Sequence, residues 1–98
     1  METREKDFNL VDGCFTNADA KEILATLFSD KIHFHQLRNF SHEERFGKPD
    51  AHAMERIPVL KKTLQETLAF LQTYEEETEF EILADIRIKA VVPVPYVD

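Results

Sequence analysis

The chain has 98 residues, 43% of them apolar and 32% charged, with a net charge of −7. That length suits one domain with a modest core, and the acidic balance argues against non-specific binding to nucleic-acid phosphates. No apolar run approaches the roughly 20 residues of a membrane-spanning helix, and Cys14, the only cysteine, can form neither an intrachain disulfide nor a cysteine-based zinc site.

Five of the first seven residues are charged. Residues 1–7 therefore read as a disordered tail ahead of a single domain over 8–98. A stretch of this kind is not a secretory leader, and the expected location is cytoplasmic. Asp12-Gly13 is a strong two-residue hairpin signal, because both central positions of a type I′ turn favour positive φ. It predicts a short hairpin from 8–11 and 14–16. Thr16 and Asp19 stand three apart in a capping arrangement, with Asn17 as a rival cap. Ile23, Leu24, Leu27 and Phe28 then mark the apolar stripe of a helix running to about Asp30.

Residues 31–37 alternate, with Ile32 and Phe34 on one side and His33 and His35 on the other, which predicts a strand. Residues 38–49 contain Ser41, Gly47 and Pro49 without a clean period and read as a loop. Asp50 is a candidate cap for a second helix. Met54, Ile57, Leu60, Leu64, Leu68 and Leu71 recur three or four apart along it. Pro58 falls inside that pattern. It implies either a kink near Met54 or a short turn at 50–57 before a helix that starts at Pro58. Glu75, Glu76 and Glu77 oppose the helix dipole, so the helix ends near Tyr74.

From Phe80 to Val92 every even position is apolar, and Glu81, Asp85, Arg87 and Lys89 stand between. Strict alternation means a strand with one buried face and one wet face, and thirteen residues would span about 43 Å. Pro93 and Pro95 end it. The fold class that follows is α+β: a two-layer sandwich with two amphipathic helices on one face of a small sheet and a long C-terminal strand. The element order is short hairpin, helix, strand, helix, strand. Pairing of 31–37 with the last strand is parallel through a right-handed crossover, or antiparallel if 38–49 carries the chain back. Either way much of the last strand lacks a neighbour, and a homodimer would supply one.

Charge is unevenly distributed. Residues 31–62 carry a net +3 and the remainder −10, and all four histidines lie in the positive segment. Arg38, His42, Arg45, Lys48, His52 and Arg56, with the free amides of a helix opening at Asp50, could bind a small carboxylate or phosphate. Asp50 and Glu55 offer the same bases internal partners, and a merely solvated face is the simpler account of the charge. His33 and His35 would lie about 6.5 Å apart on one strand face, a spacing from which two imidazoles can converge on a divalent metal, with Glu81 or Asp85 as a third ligand. Two wet histidines beside cross-strand carboxylates would look the same. No cofactor is otherwise expected. Ser41-His42-Glu43 is contiguous, whereas working triads come from separated segments. The leading expectation is a non-enzymatic homo-oligomeric interaction module, with 38–56 contacting the partner subunit or an anionic ligand and Phe40 and Phe46 buried at the interface. The alternative is a small metal-binding or anion-binding protein or enzyme that uses the histidines and arginines of 33–56. Neither nucleic acid nor membrane is expected as a partner.

Overall fold

Four elements follow one another in the computed structural model, which describes residues 4–91. They are strand β1 (Glu5–Thr16), helix α1 (Asn17–Phe46), helix α2 (Ala51–Gln72) and strand β2 (Glu79–Lys89). The strands pair antiparallel in a two-stranded sheet. The class is α+β, with two helices, a small sheet and a long last strand. The order β-α-α-β corrects the expected hairpin-α-β-α-β at both ends of α1.

The first correction lies in β1. Asp12-Gly13 is no turn: Asp12 pairs with Leu83 and Gly13 with Ile82, and φ is not positive at Gly13. The register instead shifts between Asn9 and Val11. This bulge places an extra residue, Leu10, in β1 and switches which parity faces which side. Before it, Lys6 and Phe8 pair with Ile88 and Ile86; after it, Val11 and Phe15 pair with Ala84 and Phe80. One apolar face therefore runs the length of the ribbon although its residues change parity in the sequence. Glu5, Lys6 and Asp7, expected in the tail, belong to the ladder, and Arg87 closes ion pairs with Glu5 (3.1 Å) and Asp7 (2.9 Å). Residues 1–3 of that tail, and Val92, Pro93 and Pro95 at the expected end of the last strand, lie outside the described residues.

The second correction is larger. Residues 31–46 continue α1, so neither the strand at 31–37 nor the loop at 38–49 forms. Ile32 and His35 are buried and Asn39 and His42 half-buried. The spacing 32, 35, 39, 42 is helical and continues the stripe of the preceding turns. The alternation of apolar and histidine residues in 31–37 is real but lies across the helix.

Thr16 caps α1, its Oγ1 accepting from the Asp19 amide (3.1 Å). Gly47 closes it at φ 71°, donating to the Glu43 carbonyl (2.8 Å). Asp50 caps α2, its carboxylate accepting from the His52 amide (3.0 Å). The second helix is continuous from Ala51, so it does not start at Pro58. Both Pro58 and Met54, whose carbonyl loses its helical donor there, are exposed.

At the base of the helical hairpin, buried Asn17 donates from Nδ2 to the carbonyls of Leu71 (3.3 Å) and Glu75 (3.4 Å). The rings of Phe70, Tyr74 and Phe80 continue edge to face from α2 into β2. The helices pack on each other, whereas α1 approaches the strands sparingly and α2 does not approach them among the described residues. The extents are 49 × 41 × 14 Å. A 30-residue helix is about 45 Å long and a 12-residue strand about 40 Å. Extents of that size in two directions, and so little in the third, mean that the hairpin and the ribbon meet at a large angle in one layer. The helices therefore do not cover a face of the sheet. The radius of gyration, 17.0 Å, exceeds the roughly 13 Å of a compact chain this long.

Candidate functional site

At the far end of the helical hairpin the turn between α1 and α2 is held by side chains. The Asn39 Oδ1 accepts from the Asp50 amide (2.8 Å), and His42 Nδ1 bonds the Lys48 carbonyl (2.8 Å). A carbonyl only accepts, so that nitrogen carries the proton. The His42 ring also packs on Phe46, centroids 4.6 Å apart. Beside this turn lies an open groove of about 480 Å³ along α1, lined by Phe34, Leu37, Arg38, Ser41, His42, Arg45 and Phe46, with Asp50 from α2. The α1 members 34, 37, 38, 41, 42, 45 and 46 each have others three and four residues away, so one side of the helix carries them. The groove's walls are largely apolar, and its charged groups are the Arg38 and Arg45 guanidiniums and the Asp50 carboxylate, which caps α2. The Arg38 guanidinium lies 5.8 Å from the Phe34 ring centre, and Lys31 Nζ lies 5.3 Å from the same ring.

Of the six residues expected to bind an anion, the structure brings Arg38, His42 and Arg45 to this groove. Lys48 stands in the turn and contributes its carbonyl. His52 turns away, its ring 6.2 Å from that of His35. Arg56 sits more than a turn further along α2, half-buried. Small-anion capture by all six together is not the arrangement found. Within the groove, Arg38 and Arg45 stand seven residues apart, about 10.5 Å along the axis.

The proposed metal pair does not converge. Two residues apart on a helix, His33 and His35 point about 200° apart. His33 is exposed, while His35 is 1% exposed and lies against the Phe34 ring at 5.4 Å. Glu81 and Asp85 belong to the ribbon, opposite Cys14 and Asn9, and Asp85 accepts from the Asn9 amide group (3.0 Å). Among the described residues no group of three or more His, Cys, Asp or Glu is placed to hold a metal ion. No described helix is long and apolar enough to cross a membrane.

Sequence reasoning missed a second groove, of about 360 Å³, at the opposite end of α1. Phe15, Asp19, Glu22, Ile23 and Thr26 line it. Its signal was available in Asp19, Glu22, Ile23 and Thr26, which repeat at helical spacing on the side away from Leu24 and Leu27. The two grooves resemble each other in size and apolar walls and carry opposite charge. Compared with family models, curated proteins and solved structures, the chain matches none.

Proposed function

We propose that this chain is a homo-oligomeric interaction module whose working unit is a pair of chains. The observation that carries the reading is the amount of apolar surface left uncovered. Among the described residues the buried apolar side chains are Val11, Ala20, Ile32, Ala53, Leu60 and Leu71, two of them alanines. Against these, Phe8, Phe40, Phe46, Phe70, Leu83 and Ile88 are all between 47% and 64% exposed. A single exposed leucine is ordinary, but large side chains uncovered along both the ribbon and the helical hairpin are a surface that water disfavours. The ribbon points the same way, because an isolated two-stranded sheet is at best marginally stable in water and its two open edges invite a partner.

The groove chemistry supports binding rather than catalysis. Ser41 and His42 are neighbours on α1, so their side chains diverge by about 100°, and the His42 ring is turned instead to the Lys48 carbonyl and Phe46. Native mass spectrometry of the untagged chain tests the proposal. The expected mass is twice the 11.4 kDa chain, and Phe46→Ser should shift the population toward single chains. A wild-type spectrum with only the single-chain mass at tens of micromolar would overturn it.

A further inference from the structure

We infer that the second copy pairs along the open edge of β2, so that two ribbons join into one continuous antiparallel sheet about a two-fold axis at Ala84. The inference rests on the dimer reading above and adds its geometry. The two edges of the ribbon differ. The β1 edge carries the Leu10 bulge, Gly13 and the carboxylates of Glu5, Asp7 and Asp12, features that discourage a further strand. By contrast, β2 runs eleven residues without bulge, glycine or proline. The Ala90 amide donates to the Arg4 carbonyl (2.8 Å). Alternate residues of a strand address the same neighbour, so the even positions of β2 bond β1. The odd positions turn their amides and carbonyls to the open edge.

With the axis at Ala84, β2 is its own complement. Glu79 comes opposite Lys89 and Glu81 opposite Arg87, while Phe80 meets Ile88 and Ile82 meets Ile86. Symmetry repeats each pair. Glu79, Glu81 and Lys89 make no ion pair among the described residues. Arg87, which holds Asp7 across the ribbon, reaches Glu81 of the copy on its other side. Leu83, 64% exposed and the one apolar residue of the charged row, lies diagonal to its own copy. Ala84 meets itself in a non-hydrogen-bonded pair, where Cα atoms stand only about 4.5 Å apart and a small side chain fits. Neighbouring registers are worse. An axis at Leu83 sets Glu81 against Asp85, and one at Asp85 sets that carboxylate on its own copy. An axis between residues sets the apolar row against the charged row.

The shared ladder is about 37 Å long and exchanges about twelve backbone hydrogen bonds, within the range of a standard interface. It also completes the apolar face. Phe80, Ile82 and Ala84 are half-buried, whereas Ile86 and Ile88 are 42% and 58% exposed. Antiparallel pairing lays the uncovered end of each ribbon beside the covered end of the other. Tyr74 stands at that covered end, its ring 5.4 Å from Phe80 and its side chain exposed. A sheet of more than two strands also meets the requirement for stability in water that the single ribbon lacks.

Disulfide trapping and charge reversal test the arrangement. In a Cys14→Ser chain, Ala84→Cys puts the two thiols at the axis, at a Cα separation within disulfide range. Under mild oxidation at tens of micromolar it should be recovered mainly as a linked dimer. Lys89→Cys copies lie about 34 Å apart and should stay unlinked. Separately, Glu79→Lys with Glu81→Lys should raise the dimer dissociation constant at least about tenfold in about 150 mM salt, because symmetry turns each lost attraction into two repulsions. The same change moves the net charge of −7 toward zero, which by itself favours association, so weakening reports the ladder. Circular dichroism confirms that each variant is folded. A dimeric wild type whose Ala84→Cys variant fails to link, or links no faster than Lys89→Cys, overturns the arrangement and leaves the dimer. A charge-reversed chain as tight as wild type does the same, and loss of the dimer in Phe46→Ser alone would then place the contact on the helical hairpin. A monomeric wild type overturns both.

Discussion

Asn17 is the side chain that ties the start of α1 to the end of α2, and its replacement makes a quantitative test. It is 4% exposed. Both of its acceptors are carbonyls, so the amide orientation is fixed, with Nδ2 donating to Leu71 and Glu75. Removing it does not orphan them. The Leu71 carbonyl still accepts from the Tyr74 amide (3.3 Å), and the Glu75 carbonyl from Thr78 (3.0 Å). The cost of Asn17→Ala is then two bonds at the long end of the range, about 0.5 kcal/mol each. It is partly offset because the buried Oδ1 accepts no hydrogen bond, so about 1 kcal/mol or less is expected.

Asn17→Asp keeps the shape but turns the donor into an acceptor facing two carbonyl oxygens. It also buries a charge, at a cost of about 3 kcal/mol or more, against which the helix dipole returns only about 0.5 kcal/mol. Burial raises the new carboxyl's folded pKa above its unfolded value, so the folded state holds the proton more tightly. The penalty is therefore full at pH 7 and shrinks as the pH falls through that folded value, because a protonated carboxyl can donate again. Urea unfolding followed by far-ultraviolet circular dichroism, at one fixed protein concentration, measures both variants. An Asn17→Asp protein as stable at pH 7 as Asn17→Ala would refute the donor assignment.

Three further outcomes follow from the same geometry. Leu60→Ala empties a 6% exposed site in the middle of α2 and should cost about 2–4 kcal/mol by the same unfolding assay; a loss under 1 kcal/mol would mean that the helices do not pack there. Gly47→Ala meets no neighbouring atom, yet φ is 71°, so a penalty of about 1 kcal/mol should come from backbone strain alone, and an unchanged midpoint would contradict the αL cap. Because His33 and His35 diverge, Zn²⁺ should leave the melting temperature unchanged; a rise that His35→Ala abolishes would restore the paired-ligand reading.

Much of the helical framework is legible in the sequence because its signals are local. Thr16 with Asp19, Asp50 ahead of an apolar stripe, and the alternation beyond Phe80 each need only neighbouring residues, and each appears where the pattern puts it. Two features are set by distant parts of the chain. Asp12-Gly13 favours a turn on its own, but β2 offers a full ladder of partners, and the Leu10 bulge realigns the apolar face. The parity break between Phe8 and Phe15 is the trace of that bulge, and it imitates two short strands. In 31–46 the side of α1 facing α2 carries His35, Asn39 and His42 where a helix stripe would ordinarily carry leucine. The sequence therefore loses its helical period while the backbone keeps it. The basic cluster was visible, but its division was not, because a loop would let six side chains converge whereas two helices send Arg38 and Arg45 outward and His52 inward.

The most direct measurement is multi-angle light scattering of the untagged wild-type chain across a dilution series. The account predicts twice the 11.4 kDa chain mass at tens of micromolar, falling toward the single-chain value on dilution. The single-chain mass at every concentration would mean that the exposed apolar faces are not closed by a second copy.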